Sequence, residues 1–249
     1  MTSITRLALP LAAALALAAT ASATAAPTCS ARSAAIAPPI VELYTSEGCS
    51  SCPPADKWLS RLKADPAVVA LAFHVDYWDR LGWKDRFASP AFTQRQAEQQ
   101  RSSGARFSYT PQVIVNGADR PDWPRVSPAA SARSPAPVEV ALARDANRIE
   151  ASVKPMSGAP ARLAAYWAVT EQGHVSAVKA GENEGATLTH DYVVRDYRPV
   201  AAWDARTDVP VALHFELDGS ADPAHPRQVN LVIVDAATGR PVQAVKLGC

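Results

Sequence analysis

The chain has 249 residues, 48% of them hydrophobic, with 25 basic and 24 acidic side chains, 21 prolines and 4 cysteines. That is enough apolar material for one large domain or two small ones. A net charge of +1 without a basic cluster excludes nucleic acid as an expected partner.

Residues 1–26 hold Arg6, the apolar run Leu7–Ala19 and the small-residue motifs Ala21-Ser22-Ala23 and Ala23-Thr24-Ala25. This is the pattern of a secretory signal peptide; the apolar run is short for a membrane anchor. Export implies an oxidising compartment, periplasmic or secreted, and no stable membrane insertion. Pro27 and Thr28 before Cys29 do not make a lipidation site.

Ile40–Thr45 is rich in β-branched and aromatic residues and reads as a strand. Ser46–Gly48 turns the chain. Ala55, Trp58, Leu59 and Leu62 then share one helical face, so Cys49 and Cys52 open a helix. Free N–H groups and the helix dipole stabilise a thiolate there, and two intervening residues let the sulfurs bridge or share a metal. Two structural cysteines or half a zinc site are the bland alternatives, but no second Cys-X-X-Cys and no close His pair completes four ligands.

Val68–Val75 reads as a strand buried on both faces, parallel to the first through a right-handed crossover. Residues following the two strand ends should therefore meet: Cys49 and Cys52 with His74, Asp76, Tyr77, Trp78, Asp79 and Trp83. Asp76 and Asp79 are candidates to tune the thiols or cap the next helix. Tyr77, Trp78 and Trp83 form a substrate wall or pack a long loop. His74 is a satisfied strand histidine unless its ring faces the cysteines. A helix from Ser89-Pro90 to about Ser102 is mostly polar and reads as solvated. Val113–Val115 is a strand, Asn116-Gly117 a hairpin turn, and residues 118–137 a linker or exposed loop.

The second half changes character. Pro137–Ala143, Arg148–Val153, Arg162–Thr170, Asp191–Val200, Pro210–Leu217, Gln228–Val234 and Val242–Leu247 are strand candidates separated by turn residues. Strands at this spacing suggest an antiparallel sandwich. Cys29 and Cys249 are expected to pair once Cys49 and Cys52 are bonded, closing a loop that constrains the unfolded chain by roughly 4–5 kcal/mol in the entropy model. Pairing between chains and two free thiols are the alternatives.

Leu43–Cys52 resembles the active-site segment of thioredoxins and glutaredoxins, and Tyr109–Gly117 resembles their cis-proline loop, strand and hairpin. The mature chain further resembles a secreted thioredoxin-like family catalogued as domain of unknown function 1223, through Val41–Cys52, Phe73–Gln96, Thr110–Gly117 and Gly181–Arg195. The resemblance implies a thioredoxin-like fold; with the signal peptide (1–26) and the strand spacing of the second half, the expected organisation is an α/β thioredoxin-like domain over 27–134 with a mixed sheet flanked by helices, then an all-β sandwich-like domain over 135–249. The resemblance implies Cys49 as nucleophile, Cys52 as resolving thiol and Pro111 as the cis-proline; Thr110, Tyr77, Trp78 and Asp76, by their places beside these, are the candidate substrate-binding residues. Read from the residues alone, Pro111 could begin an edge strand in trans. Glu42 is a candidate proton acceptor or an exposed strand carboxylate.

The leading reading is an exported thiol–disulfide oxidoreductase acting on protein thiols or disulfides of the cell envelope, needing neither metal nor cofactor. The alternatives are a periplasmic Cu(I) metallochaperone using Cys49, Cys52 and His74, and a non-enzymatic adaptor.

Overall fold

The computed structural model describes residues 29–130, 134–207, 209–220 and 222–249; the expected signal peptide lies outside the described residues. The elements run β1 (Cys29–Arg32), β2 (Ile40–Thr45), α1 (Pro53–Arg61), β3 (Val69–His74), α2 (Pro90–Ser103), β4 (Gln112–Val115) and β5 (Ala118–Asp119). There follow β6 (Val138–Asp145), β7 (Arg148–Pro155), β8 (Arg162–Glu171), β9 (His174–Ala177), β10 (Thr187–His190) and β11 (Val193–Asp204). The last strands are β12 (Val211–Glu216), β13 (Arg227–Asp235) and β14 (Pro241–Leu247).

The expectation of a helix-flanked thioredoxin-like domain followed by a separate sandwich is overturned. The chain is mostly β, with two α-helices among the described residues. Strands from both halves form one eight-stranded mixed sheet in the order β14-β13-β8-β11-β3-β2-β4-β5. The join is β11 beside β3, where Val193 sits parallel to Ala72 and the Ala72 N–H bonds the Tyr192 carbonyl at 2.8 Å. An unpaired β3 would leave a long apolar edge; β11 covers it. A boundary near residue 134 therefore separates no two sheets.

The second sheet, β1-β6-β7-β12, draws its first strand from the other half of the chain. It packs on β8, β13 and β14 through Val140, Ile149, Val153, Trp167, Leu231 and Ile233. The Cys29–Cys249 disulfide forms as expected and ties β1 to the chain end.

Alternation along β2 decides what each side chain meets. Val41 and Leu43 face α1, packing with Ala55, Trp58 and Leu59. Ile40 and Tyr44 face the opposite way, toward Phe73, Phe92 and Tyr166. Asn116 and Gly117 both take positive φ, and Val115 pairs Ala118 across the two-residue turn.

Helix α2 departs from the solvated helix expected. Ser89 caps it by accepting from the Ala91 N–H, and Gly104 closes it at φ 84°. Yet Phe92, Arg95, Gln96 and Gln99 are buried. The polar inner face has polar partners on β2 and the 109–112 loop, so composition alone misread its exposure. The stretch 118–137 is likewise not all loop: β5 lies in it, and Trp123 packs edge-on against Trp58.

Candidate functional site

Cys49 and Cys52 form a disulfide at the start of α1, with Cys52 at the N-cap position and prolines in the first turn. The prolines occupy positions whose N–H groups have no helical partner. The Cys52 N–H bonds the Cys49 carbonyl, and the Ala55 N–H bonds that of Cys52. The Thr110–Pro111 peptide bond is cis, as expected. The Ser51 hydroxyl lies 3.4 Å from Cys49 Sγ and donates to the Thr110 carbonyl at 3.5 Å, so the proline loop and the disulfide are neighbours.

Trp78 closes this side. Its indole N–H donates to Thr110 Oγ1 at 2.8 Å, and a Cβ on Gly48 would meet Trp78 Cβ at 3.1 Å. A side chain at Gly48 would therefore force Trp78 to give by a few tenths of an ångström. Tyr77 donates to Gln96, whose amide in turn donates to the Tyr109 carbonyl at 2.7 Å. Asp76 is turned away into a bond with Thr93 at 2.6 Å. Trp78 thus flanks the turn before Cys49 and Thr110 lies beside Ser51; Tyr77 braces the loop, and Asp76 bonds toward α2.

Residues 178–186, between β9 and β10, cover the other side. Asn183 donates to the Glu47 carbonyl at 2.8 Å and to the Cys49 carbonyl at 3.0 Å. Exposed Glu182 accepts from the Ser50 N–H at 3.1 Å and from its hydroxyl at 2.7 Å, and these bonds lower its pKa. With Trp78, Thr110 and this loop around them, Cys49 and Cys52 are both buried, 0% exposed. Exposure therefore does not distinguish the two sulfurs, although position on the helix suggests a more open Cys49.

Glu42 is neither exposed nor beside the disulfide. It lies on the opposite face of β2 from α1, in a closed cage: Oε1 accepts from Arg95 and Tyr166, each at 2.6 Å, and Oε2 from Tyr44 at 2.6 Å. Burial and the Glu42 charge keep Tyr44 and Tyr166 protonated far above their usual pKa. Burial disfavours the Arg95 cation, but Glu42 outweighs it.

Beneath the disulfide lies a second buried cluster. Glu47, Asp56, His74, Asp85 and His190 are all buried. His74 Nδ1 is 2.7 Å from Asp85 Oδ2, which also accepts from the Glu47 N–H at 2.9 Å. Burial works against the Asp85 carboxylate, yet His74 and backbone donors pull it down to about 2. Thr45 donates to Asp56 Oδ2 at 3.0 Å, and Trp83 to Glu47 Oε2 at 2.7 Å. His190 stands between Glu47, 3.4 Å from Nε2, and Asp56, 3.6 Å from Nδ1. Burial lowers its pKa, but the two carboxylates win and raise it to about 9. The ligand set of the copper reading is not assembled. The sulfurs are bonded to each other, His74 is held by Asp85, and His74 groups with Asp56 and His190 rather than with the cysteines.

Six residues escaped the sequence reading: Glu47, Asp56, Asp85, Glu182, Asn183 and His190. Asp56 follows Cys52 by one helical turn, and Glu182, Asn183 and His190 lie inside the family stretch 181–195. Glu47 and Asp85 likewise lie inside the family stretches Val41–Cys52 and Phe73–Gln96.

Residues 40–234 match the model of the family described as "Protein of unknown function (DUF1223)". The chain belongs to that family. A crystal structure of protein AGR_C_4864 from Agrobacterium tumefaciens is similar at TM-score 0.58 and 26% identity, over 84% of this chain and 93% of that one. HBP35 of Porphyromonas gingivalis is similar at TM-score 0.58 and 16% identity, over 86% and 76%, a likeness of fold alone. No curated protein matches the chain significantly. Among the described residues of this DUF1223 protein, no helix is long and apolar enough to cross a membrane.

Proposed function

We propose that this DUF1223 protein is an exported thiol–disulfide oxidoreductase acting on protein thiols or disulfides through Cys49 and Cys52. The observation that carries the reading is a disulfide at a helix N-terminus, bridged through Ser51 to the Thr110 carbonyl of a neighbouring loop. A second disulfide, Cys29–Cys249, supports an oxidising compartment.

In the reducing direction the Cys49 thiolate attacks a substrate disulfide and expels one substrate thiolate. Cys52 then attacks the mixed disulfide, expels the second, and closes the Cys49–Cys52 bond. Two electrons pass from the enzyme dithiol to the substrate; the oxidising direction is the reverse. The Thr110 carbonyl and Trp78 flank the position of an incoming chain. The covering loop of Glu182 and Asn183 must shift for a protein to reach the sulfur.

The test uses Cys52→Ser. With the resolving thiol gone, this variant should accumulate mixed disulfides on Cys49 that non-reducing electrophoresis resolves, while Cys49→Ser accumulates none. Equal trapping by both variants, or by neither, ends the reading.

A further inference from the structure

We propose that Asp56, His74 and His190 form a buried site for a divalent transition-metal ion, best suited to Zn²⁺. One ligand atom from each lies within 4.8 Å of those of the other two. The residues come from three elements: Asp56 from the first turns of α1, His74 from the end of β3 and His190 from the end of β10. Their exposures are 7%, 0% and 2%, so packing fixes the ligand positions.

The outward atoms of His74 and Asp56 are held by hydrogen bonds, and the inward ones make none, although Asp56 Oδ1 and His190 Nδ1 face each other as an ion pair at 3.6 Å. His74 Nδ1 is engaged by Asp85, and Asp85 is itself fixed by the Glu47 and Phe87 N–H groups. That leaves His74 Nε2, buried and without a hydrogen bond. Thr45 engages Asp56 Oδ2 and leaves Oδ1 facing His190 Nδ1 at 3.6 Å. His190 makes no hydrogen bond through either ring nitrogen; it lies between Asp56 and Glu47, which stands 3.4 Å behind Nε2, and a metal ion at Nδ1 would take the place of the proton that these carboxylates now stabilise. Buried polar atoms are rarely left unpartnered, and here they converge. A carboxylate behind each ligating imidazole is the usual support of a protein metal site, fixing the tautomer and ring orientation.

The donor chemistry selects the ion. Two imidazoles and one carboxylate suit zinc and its neighbours, whereas Mg²⁺ and Ca²⁺ prefer all-oxygen shells. Three protein ligands leave a fourth tetrahedral position open. Phe87 lies against both imidazoles, with ring centroids 5.2 Å from His74 and 5.7 Å from His190, and keeps the site apolar on that side. A cavity of about 220 Å³, lined in part by Pro53, Asn183 and Leu188, reaches Asp56 and His190 and supplies a route in. Because all described cysteines are in disulfides, thiolates need take no part.

The experiment uses the full chain, purified without a histidine tag and with both disulfides intact. Zn²⁺ is removed with a chelator and returned by competitive titration, and Co²⁺ binding is followed by its visible ligand-field bands. One equivalent of Zn²⁺ and a Co²⁺ spectrum of nitrogen and oxygen ligation are expected. His190→Gln and Asp56→Asn should abolish both. Asp85→Asn should keep the ligand set but weaken affinity about 10- to 100-fold. Folding of each variant is followed by circular dichroism. Should a variant fail to fold, the wild-type titration decides alone: folded wild-type protein that binds no Zn²⁺ overturns the proposal. So does binding that survives unchanged in folded His190→Gln and Asp56→Asn.

Discussion

Two buried polar clusters flank β2 on opposite faces, and they are built differently. In the Glu42 cage both carboxylate oxygens accept short bonds, and the Arg95 guanidinium lies 4.1 Å over the Tyr166 ring, with its Nε alone left without a hydrogen bond. The cluster under the disulfide holds three carboxylates and two imidazoles, yet Glu47 Oε1, His74 Nε2 and both His190 nitrogens lack hydrogen bonds. A satisfied network rigidifies a core. In the second cluster His190 is offset by its ion pairs with Glu47 and Asp56, whereas His74 Nε2 is buried with no partner and carries a desolvation cost. The cage pins α2 to the sheet; the second cluster keeps chemical capacity one helical turn below Cys52.

The comparison breaks most visibly at Glu42. Glu42→Gln leaves Arg95 buried without a counter-charge, and removing one member of a buried pair costs about 3–5 kcal/mol. Urea unfolding of the oxidised protein should register a loss near the lower figure, because glutamine keeps some hydrogen bonds. Reactivity of the Cys49–Cys52 pair in the folded fraction should not change, since the sheet separates the two. A stability loss below about 1 kcal/mol would mean that the cage does not hold α2.

These two clusters also mark how far the sequence could be read. The strand–turn–helix around Cys49, the hairpin at Asn116-Gly117 and most strands of the second half were legible, because short-range periodicity and turn chemistry specify them. The continuous sheet was not. It depends on β3 and β11, which are separated by more than a hundred residues and meet at a single parallel pairing. The inner face of α2 was hidden because Arg95, Gln96 and Gln99 look like surface residues until Glu42 and Gln112 are placed opposite them. The short hairpin of β9 and β10 was missed as well, and with it His190, Glu182 and Asn183. Two four-residue strands give too few alternations to stand out from loop.

The cover over the disulfide gives a middle-sized test. Asn183→Ala removes the donors to the Glu47 and Cys49 carbonyls, a loss of about 1–2 kcal/mol. Reduction of the Cys49–Cys52 bond by a small thiol should quicken, because both cysteines are buried partly by this loop. Gly48→Ala tests the opposite wall. Its Cβ would stand 3.1 Å from Trp78 Cβ, so Trp78 must give by a few tenths of an ångström, which strains its bond to Thr110, at about 1 kcal/mol. Mass-resolved alkylation after timed reduction measures both. An unchanged rate in Asn183→Ala would show that the loop is no barrier to the sulfurs.

The smallest effect concerns Glu182. Its carboxylate accepts from the Ser50 N–H and hydroxyl at the mouth of the Cys-X-X-Cys turn, where the helix terminus would otherwise favour an anion on sulfur. A negative charge beside a forming thiolate raises the thiol pKa. Removing it by Glu182→Gln should therefore lower the Cys49 pKa in the reduced protein and speed alkylation just below that pKa. Glu182 is exposed, so solvent and salt screen it, and the change should be about twofold at low ionic strength. Raising the salt should narrow the gap between variant and wild type, since a charge effect screens and a loosened loop does not. A rate difference that persists in high salt would assign the effect to loop opening, which Asn183→Ala reproduces without a change of charge.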